Sequence, residues 1–183
     1  MKRLFLLVAL LLGGGPVYAE AELAGVASDT EQVQSHLRDY FFNAARYGDN
    51  EILDEFIQAG YDLNTADDKG YTALILAAYN GNADTVERLL AAGADACAED
   101  KRGNTALMGA IFKGELRIAK RLLATECDPD ARNNAGQTPA MYAALFQRDA
   151  LLEALRERGA DLEASDPLGN RVETLARGEI RTR

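Results

Sequence analysis

The sequence predicts an all-α array of repeated helix pairs, because one pattern of residues returns at a fixed interval. A glycine opens four of the copies, which lie 33 residues apart, at Gly70, Gly103, Gly136 and Gly169. An earlier copy lies one period upstream, at Asp39–Asp68, and lacks the opening glycine. A period of about 20–50 residues is typical of stacked supersecondary units. Apolar residues within each copy also recur at the spacing of one helical face.

Each copy begins with a short helix that follows a threonine. The three central copies read TALILAAYN, TALMGAIFK and TPAMYAALF. The threonine hydroxyl can accept a hydrogen bond from a free amide of the first turn. Pro139 is tolerated at the start of its helix because that position needs no amide donor. Gly81 and Gly114 end this helix in two of the copies.

A second helix follows and carries one apolar stripe, which in one copy is Ile118, Leu122 and Leu123. A glycine ends it in three copies, where a left-handed residue is favourable: Gly60, Gly93 and Gly159. The next segment, for example GADACAEDKRGN, has turn-forming residues and no helical stripe. It predicts a projecting hairpin or turn.

The period also predicts the organisation of the chain. A terminal repeat of an array is atypical and has a polar outer face. Glu20–Ser35 is interpreted as a linker that leads into a capping helix around Glu31–Phe42. We expect a signal peptide at 1–19, a linker and capping segment at 20–36, repeats at 37–69, 70–102, 103–135 and 136–168, and a C-terminal cap at 169–183.

These motifs resemble the ankyrin repeat. The shared pattern is a Gly-x-Thr opening, paired alanines, a central glycine, a leucine stripe and Gly-Ala-Asp, all in register from about Leu37 to Arg177. The resemblance implies an ankyrin-repeat solenoid of stacked helix pairs with projecting β-hairpin loops. In that family the array binds proteins.

Two departures from the family pattern stand out. The family histidine of the first helix is replaced by Ile75, Met108 and Met141, so its hydrogen bond to the neighbouring repeat is absent. Glu126 stands where the other repeats have the glycine that ends the second helix. A left-handed conformation costs a non-glycine residue about 1 kcal/mol. Either the loop is reshaped there or the protein carries that cost.

The first residues have the features of a secretory signal. Two basic residues precede the apolar run Leu4–Leu12, and the tripeptide VYA ends at Ala19 with small residues where a signal peptidase cleaves. The apolar stretch Leu4–Ala19 holds 16 residues, whereas a membrane-spanning helix needs about 20. We expect cleavage after Ala19, with Ala21 as a nearby alternative, and a periplasmic or secreted protein. The alternative is an uncleaved inner-membrane anchor.

The charge argues against nucleic acid and anionic membrane as partners. Cleavage lowers the number of basic residues from 20 to 18 and keeps all 29 acidic ones, so the net charge is about −11. Binding to phosphates needs a basic surface. The alternative is a local basic patch in one repeat, formed by Lys101, Arg102, Lys113, Arg117, Lys120 and Arg121.

The sequence contains no recognisable catalytic constellation, and we expect neither an enzyme nor a cofactor. The single histidine, His36, has no nucleophile in a recognisable motif with it. The oxygen-rich segments Asp62–Asn64 and Asp67–Asp68 raise the question of calcium, but their spacing does not match an EF-hand loop. The acidic residues are explained by turns and helix starts.

The two cysteines, Cys97 and Cys127, are candidates for a disulfide. An even number of cysteines in an oxidising compartment favours a bond. They occupy different repeat positions, however, and stacked repeats lie about 10 Å apart, whereas a disulfide needs Cα atoms within about 7 Å. The alternative is two buried thiols that act as small apolar groups. The sequence leaves the choice open.

The resemblance implies a concave partner-binding surface made of hairpin tips and the exposed ends of the first helices. An aromatic or large apolar residue recurs there once per repeat. Aromatic residues are common among the anchors of protein interfaces. The alternative is that these rings pack along the array. The candidate groove residues are Tyr47, Tyr71, Tyr79, Lys101, Arg102, Asn104, Phe112, Lys113 and Phe146.

Two functions follow from these observations. The first is a monomeric exported module that holds or protects a partner protein in the periplasm. Similar small exported ankyrin proteins imply a link to peroxide defence and a catalase-type enzyme as partner, but no motif in this chain identifies one. The second is a structural envelope protein anchored by an uncleaved N-terminus.

Overall fold

A computed structural model describes the backbone of residues 16–182 and the side chains of residue 30 and residues 32–182. The chain divides into two compact units, with the boundary between Tyr40 and Phe41. Within the described residues the secondary structure consists of nine helices and no strands, which confirms the all-α prediction. The helices are α1 Pro16–Tyr47, α2 Asn50–Gln58, α3 Ala73–Tyr79, α4 Ala83–Ala91, α5 Ala106–Lys113, α6 Leu116–Leu123, α7 Pro139–Leu145, α8 Asp149–Glu157 and α9 Val172–Ala176.

From Phe41 onward the helices form two stacked rows. The inner row is α3, α5, α7 and α9, in which each helix contacts the next. The outer row is α2, α4, α6 and α8, and α3, α5 and α7 each contact the outer helix that follows them in the chain. The structure is therefore the predicted solenoid of helix pairs.

The inner row is held together by small and apolar side chains. Ala77, Ala110 and Ala143 are at most 1% exposed, so the backbones of α3, α5 and α7 approach closely. At the position of the family histidine, Met108 and Met141 are also buried. The core thus fills that position with apolar groups, which need no hydrogen-bond partner.

The predicted threonine caps are present on the three central inner helices. Thr72 Oγ1 accepts a hydrogen bond from the Ile75 amide at 3.3 Å, and Thr105 and Thr138 accept the equivalent bonds at 3.4 and 3.3 Å. Pro139 occupies the first turn of α7, as predicted.

Each hairpin is closed by an acidic or amide side chain. Asp100 Oδ1 accepts the amides of Arg102 and Asn104, both at 2.8 Å. Three of the hairpins contain a single antiparallel bridge, for example Glu99 with Thr105. Neighbouring hairpins are also joined, since the Lys101 amide donates to the Lys69 carbonyl at 2.9 Å.

This contact between hairpins explains the glycine that opens each repeat. Gly70 has φ +82°, and a Cβ added to it would lie 2.6 Å from the Lys101 backbone nitrogen. Any side chain would force the two hairpins apart. The repeated glycine is therefore required by the close approach of the next repeat as well as by its own conformation.

The N-terminal segment differs from the prediction. Residues Glu20–Ser35 do not form a linker, because α1 is continuous from Pro16 to Tyr47. Alanine, glutamate and glutamine dominate this stretch and favour a helix, and Pro16 stands at the helix start, where proline is tolerated. Most of the predicted signal peptide, residues 1–15, lies outside the described residues. No helix in the described part of the chain is long and apolar enough to span a bilayer.

The loop at Glu126 is reshaped rather than strained. Glu126 does not have a positive φ, and α6 ends at Leu123, one residue earlier in the repeat than α4. Arg158 of the next repeat donates to the Leu123 and Thr125 carbonyls at 2.9 and 2.8 Å. These bonds satisfy carbonyl groups near the helix end.

The disulfide that the sequence left open is formed. Cys97 and Cys127 are bonded, with Cα atoms 5.5 Å apart. In the repeats before and after, the residue equivalent to Cys97 makes a hydrogen bond to the following repeat: Asn64 Oδ1 accepts the Asp95 amide at 2.8 Å, and Asp130 accepts the Asp161 amide at 3.0 Å. The disulfide thus replaces this inter-repeat bond at the reshaped loop.

We predict that removing the disulfide destabilises the array more than removing its hydrogen-bonded equivalent. The double variant Cys97→Ser/Cys127→Ser should lower the free energy of unfolding by about 2–4 kcal/mol, because the 30-residue separation no longer restrains the unfolded chain. Asn64→Ala, the matched control, should cost about 0.5–1.5 kcal/mol. Urea titration of the three proteins measures both values, and equal losses would contradict the special role of the disulfide.

A second prediction concerns Gln147, which has φ +55° at the position of Gly81 and Gly114. Gln147→Gly should stabilise the fold by about 0.5–1 kcal/mol, because it removes left-handed strain that exceeds the entropy cost of glycine. Glu126→Gly is the control and should destabilise by about 0.5–1 kcal/mol, because Glu126 carries no such strain. Thermal unfolding checks the opposite signs, and a gain at both sites would refute the interpretation of the Glu126 loop.

Candidate partner-binding groove

A groove of about 530 Å³ lies along the inner helices and the hairpins that precede them. Its base is formed by α3, α5 and α7, and its side by hairpin residues such as Lys69, Tyr71 and Arg102. The inner helices can form one continuous surface because their buried alanines keep them close together. The groove therefore follows directly from the stacking of the repeats.

Four rings form an aromatic row in this groove: Tyr79, Phe112, Phe146 and Tyr142. The Tyr79 and Phe112 rings are stacked, with centroids 5.9 Å apart and planes at 11°. Phe146 meets Phe112 edge-on at 4.8 Å, and Tyr142 lies 5.9 Å from Phe146. Tyr79 and Phe112 remain 42% and 39% exposed. The row thus packs on itself and still presents aromatic surface to solvent.

The alignment of the rings follows from the repeat. Tyr79 and Phe112 lie 33 residues apart and hold equivalent positions on α3 and α5. Phe146 is one residue further on, which is about 100° of helical rotation. Its ring therefore reaches Phe112 by its edge instead of its face.

The groove lining contains three basic residues, Arg46, Lys69 and Arg102, and two carboxylates. Asp67 and Asp100 line the groove, but each accepts two amides of its own hairpin. Among the described residues no carboxylate forms an ion pair with Lys69 or Arg102. Lys113 Nζ lies 5.1 Å from the centre of the Tyr79 ring, a cation–π contact.

A polar network forms one end of the groove. Tyr142 Oη donates to Asn104 Oδ1 at 3.1 Å and accepts from Asn133 Nδ2 at 3.2 Å. Asn104 Nδ2 donates to Asp100 Oδ2 at 3.1 Å. Burial raises the pKa of the Tyr142 phenol above its ordinary value. Gln137 belongs to the same network, since its Oε1 accepts a hydrogen bond from Asn133 Nδ2 at 3.3 Å. The network holds the Tyr142 ring in place within the groove lining.

The structure gathers most of the predicted groove residues. Three of them lie elsewhere, and each has a local reason. Tyr47 is 76% exposed at the end of α1, one residue after Arg46, which does line the groove. The Lys101 amide joins two hairpins through its bond to the Lys69 carbonyl. Lys113 places its ammonium group over the Tyr79 ring but is not itself a lining residue. The predicted residues in the lining are Tyr71, Tyr79, Arg102, Asn104, Phe112 and Phe146.

Sequence reasoning missed Tyr142 and Gly109. Both line the groove, and both hold the repeat position that Leu76 holds on α3. The repeat period could have found them, because it places one residue of each inner helix at this position. The predicted helix-end residues Tyr79 and Phe112 lie three residues, or about one helical turn, after Leu76 and Gly109.

The six basic residues that the sequence raised as an alternative phosphate-binding patch do not form one patch. Arg102 lines the groove and Lys113 lies over the Tyr79 ring, whereas Arg117 and Arg121 lie on the outer helix α6. Arg117 pairs with Asp84 at 3.3 Å, and Arg121 pairs with Glu87 at 2.7 Å, both on the outer helices. A similar pair joins Arg88 to Asp54 one repeat earlier. These cations therefore connect successive repeats, which removes them from a continuous phosphate-binding surface.

The oxygen-rich loops considered for calcium serve as turns. Asp62 Oδ1 accepts the Asn64 amide at 3.0 Å, and Asp67 Oδ1 accepts the amides of Lys69 and Tyr71. Among the described residues there is no group of three or more histidine, cysteine, aspartate or glutamate side chains placed to hold a metal.

Comparison with known families identifies the array. The sequence model described as "Ankyrin repeats (3 copies)" matches residues 41–133 and, in a second overlapping match, residues 93–166. Together the two matches span well over half of the 183-residue chain. A comparison with curated proteins found no match.

Proposed function

The chain belongs to the ankyrin repeat family, and we propose that its groove holds a segment of one partner protein. Ankyrin repeats are protein–protein interaction modules, and the family is typically a non-enzymatic binding scaffold. The observation that carries the proposal is the aromatic row. Tyr79 and Phe112 leave about two fifths of their surface exposed inside a concave groove.

Aromatic rings that are already ordered make good binding anchors. Each ring of the row contacts another ring of the row, so little side-chain freedom is lost on binding. Tyrosine is enriched among the residues that dominate binding energy, and aromatic residues are enriched at interfaces in general. The row therefore combines a structural role with a binding role.

We also propose that the protein acts outside the cytoplasm. Two independent features support this location: the basic, apolar and small-residue pattern that ends at Ala19, and the Cys97–Cys127 disulfide. Disulfides persist in oxidising compartments. In this setting the protein holds or protects its partner in the periplasm, and a catalase-type enzyme of peroxide defence is one partner to test. The alternative is an envelope protein anchored by residues 1–19.

Export predicts a defined mature N-terminus. We expect N-terminal sequencing of the native protein to return Glu20, because small residues precede this position at the cleavage site. Fractionation of the same cells should place the protein in the periplasm or the medium. A chain that begins at Met1 in the membrane fraction would favour the anchored alternative, and one that begins at Met1 in the cytoplasm would refute both.

The groove itself predicts one sensitive residue. A photo-crosslinking amino acid at Phe112 should capture the partner, and Phe112→Ala should weaken its binding by at least about 1 kcal/mol. Leu116→Ala is the control, because Leu116 is similarly exposed (41% against 39%) but lies outside the groove lining. Leu145→Ala should have a smaller effect than Phe112→Ala. The affinity of the parent protein and of each variant for a catalase-type enzyme is measured in the same binding assay.

Unfolding experiments separate the binding role of Phe112 from its packing role. Loss of the Phe112 ring removes two aromatic contacts, each worth about 0.5–1.5 kcal/mol. If Phe112→Ala lowers the free energy of unfolding and leaves the affinity unchanged, the row only packs and the proposal is wrong.

A further inference from the structure

Gly109 lies in the interior of α5, at a position where the fold does not require glycine. Its backbone has no positive φ, and a Cβ added to it would meet only Tyr79 Cβ and Cδ2, both at 3.8 Å. That distance is an ordinary van der Waals contact. Glycine inside a helix is less stable than alanine because it loses more backbone freedom. Stability alone therefore favours a side chain at this position.

The neighbouring repeats do have side chains at this position. Leu76 holds it on α3 and Tyr142 holds it on α7, and both line the same groove as Gly109. Gly109 has no side chain, so the groove is lined by backbone at this point. We define this place as the recess, bordered by Leu76, Gly109, Tyr142 and the rings of Tyr79 and Phe112. A leucine fits the equivalent place one repeat earlier, where Leu76 is 6% exposed.

The charges of the groove lining favour an acidic occupant, because Arg46, Lys69 and Arg102 outnumber Asp67 and Asp100. Lys69 and Arg102 line the groove without an ion-pair partner in the described part of the chain, whereas Asp67 and Asp100 are bound to hairpin amides. The chain as a whole has a net charge of −9. An acidic segment is attracted to the groove cations and repelled by the rest of the surface, which orients its approach.

We propose that the groove receives an acidic protein segment that inserts one aliphatic side chain, leucine, isoleucine or methionine, into the recess at Gly109. The aspartate or glutamate residues beside that side chain pair with Arg102 and Lys69. This inference rests on the proposed function, since it names the partner chemistry of the same groove. It explains why the protein keeps a glycine that weakens its own helix, as functional sites often do.

A random-peptide display library, selected on the purified disulfide-bonded protein, tests the proposal directly. The recovered peptides should be acidic and share one aliphatic residue. Synthetic copies should bind Gly109→Leu at least about tenfold more weakly, because the recess is filled. Arg102→Glu should also lower the affinity about tenfold or more, since it reverses the sign of a groove charge. Lys120, an exposed cation of α6 that forms no ion pair with any described residue, supplies the control: Lys120→Glu should change the affinity less than about twofold.

The thermal stability of Gly109→Ala supplies a second readout. This variant should melt about 2–4 °C higher than the parent protein, because alanine favours the helix, and should bind the peptides more weakly. A gain in stability together with a loss of affinity separates an occupied recess from a simple packing defect. A lower melting temperature would overturn the claim that the fold has room for a side chain at Gly109.

The outcomes also separate this inference from the proposed function. If the selected peptides lose affinity with Phe112→Ala but bind Gly109→Leu and Arg102→Glu normally, the groove binds proteins and the acidic-segment inference is wrong. Neutral or basic peptides that depend on Phe112 lead to the same conclusion. A library that yields no binder dependent on Phe112 counts against both proposals.

Discussion

The stacking of each repeat on the next is the constraint on which the structure depends. A helix pair of this size cannot bury its apolar face alone. Burial is achieved where the alanine faces of α3, α5 and α7 meet and where neighbouring hairpins bond through their backbones. Gly70 shows how tight this contact is, since a Cβ there would lie 2.6 Å from the next hairpin. The same contact is made by successive repeats, and the residues that make it therefore recur in the sequence every 33 positions.

The second and third repeats show how an array tolerates the loss of a standard element. Glu126 replaces the helix-ending glycine, and the helix before it ends early. Arg158 from the following repeat then satisfies the free carbonyls, while the Cys97–Cys127 disulfide joins this loop to the preceding repeat. Both neighbouring repeats therefore hold the loop at Glu126, which lacks the helix-ending glycine of the other repeats.

The groove is a product of the same stacking, because each repeat adds one residue to each position along it. Equivalent positions give the stacked Tyr79 and Phe112, and a shift of one residue turns Phe146 edge-on. The position that carries Leu76 in one repeat carries Gly109 in the next. The surface can therefore vary in aromatic content, charge and depth while the core stays constant, which is why a repeat scaffold suits protein binding.

The sequence by itself determined the period, the helix pairs, the threonine caps and the glycines, because each depends on contacts that recur locally in every copy. Six of the nine groove residues predicted from the sequence lie in the lining, since the repeat period carries a position from one copy to the next. Only the tertiary structure decided the disulfide, because a three-residue offset between Cys97 and Cys127 is closed by the path of a reshaped loop. It likewise decided that Tyr47 lies outside the groove and that Tyr142 bonds to Asn104, 38 residues away. Those outcomes depend on the rotation of single side chains and on contacts made at one pair of repeats only, which a pattern repeated in every copy does not encode.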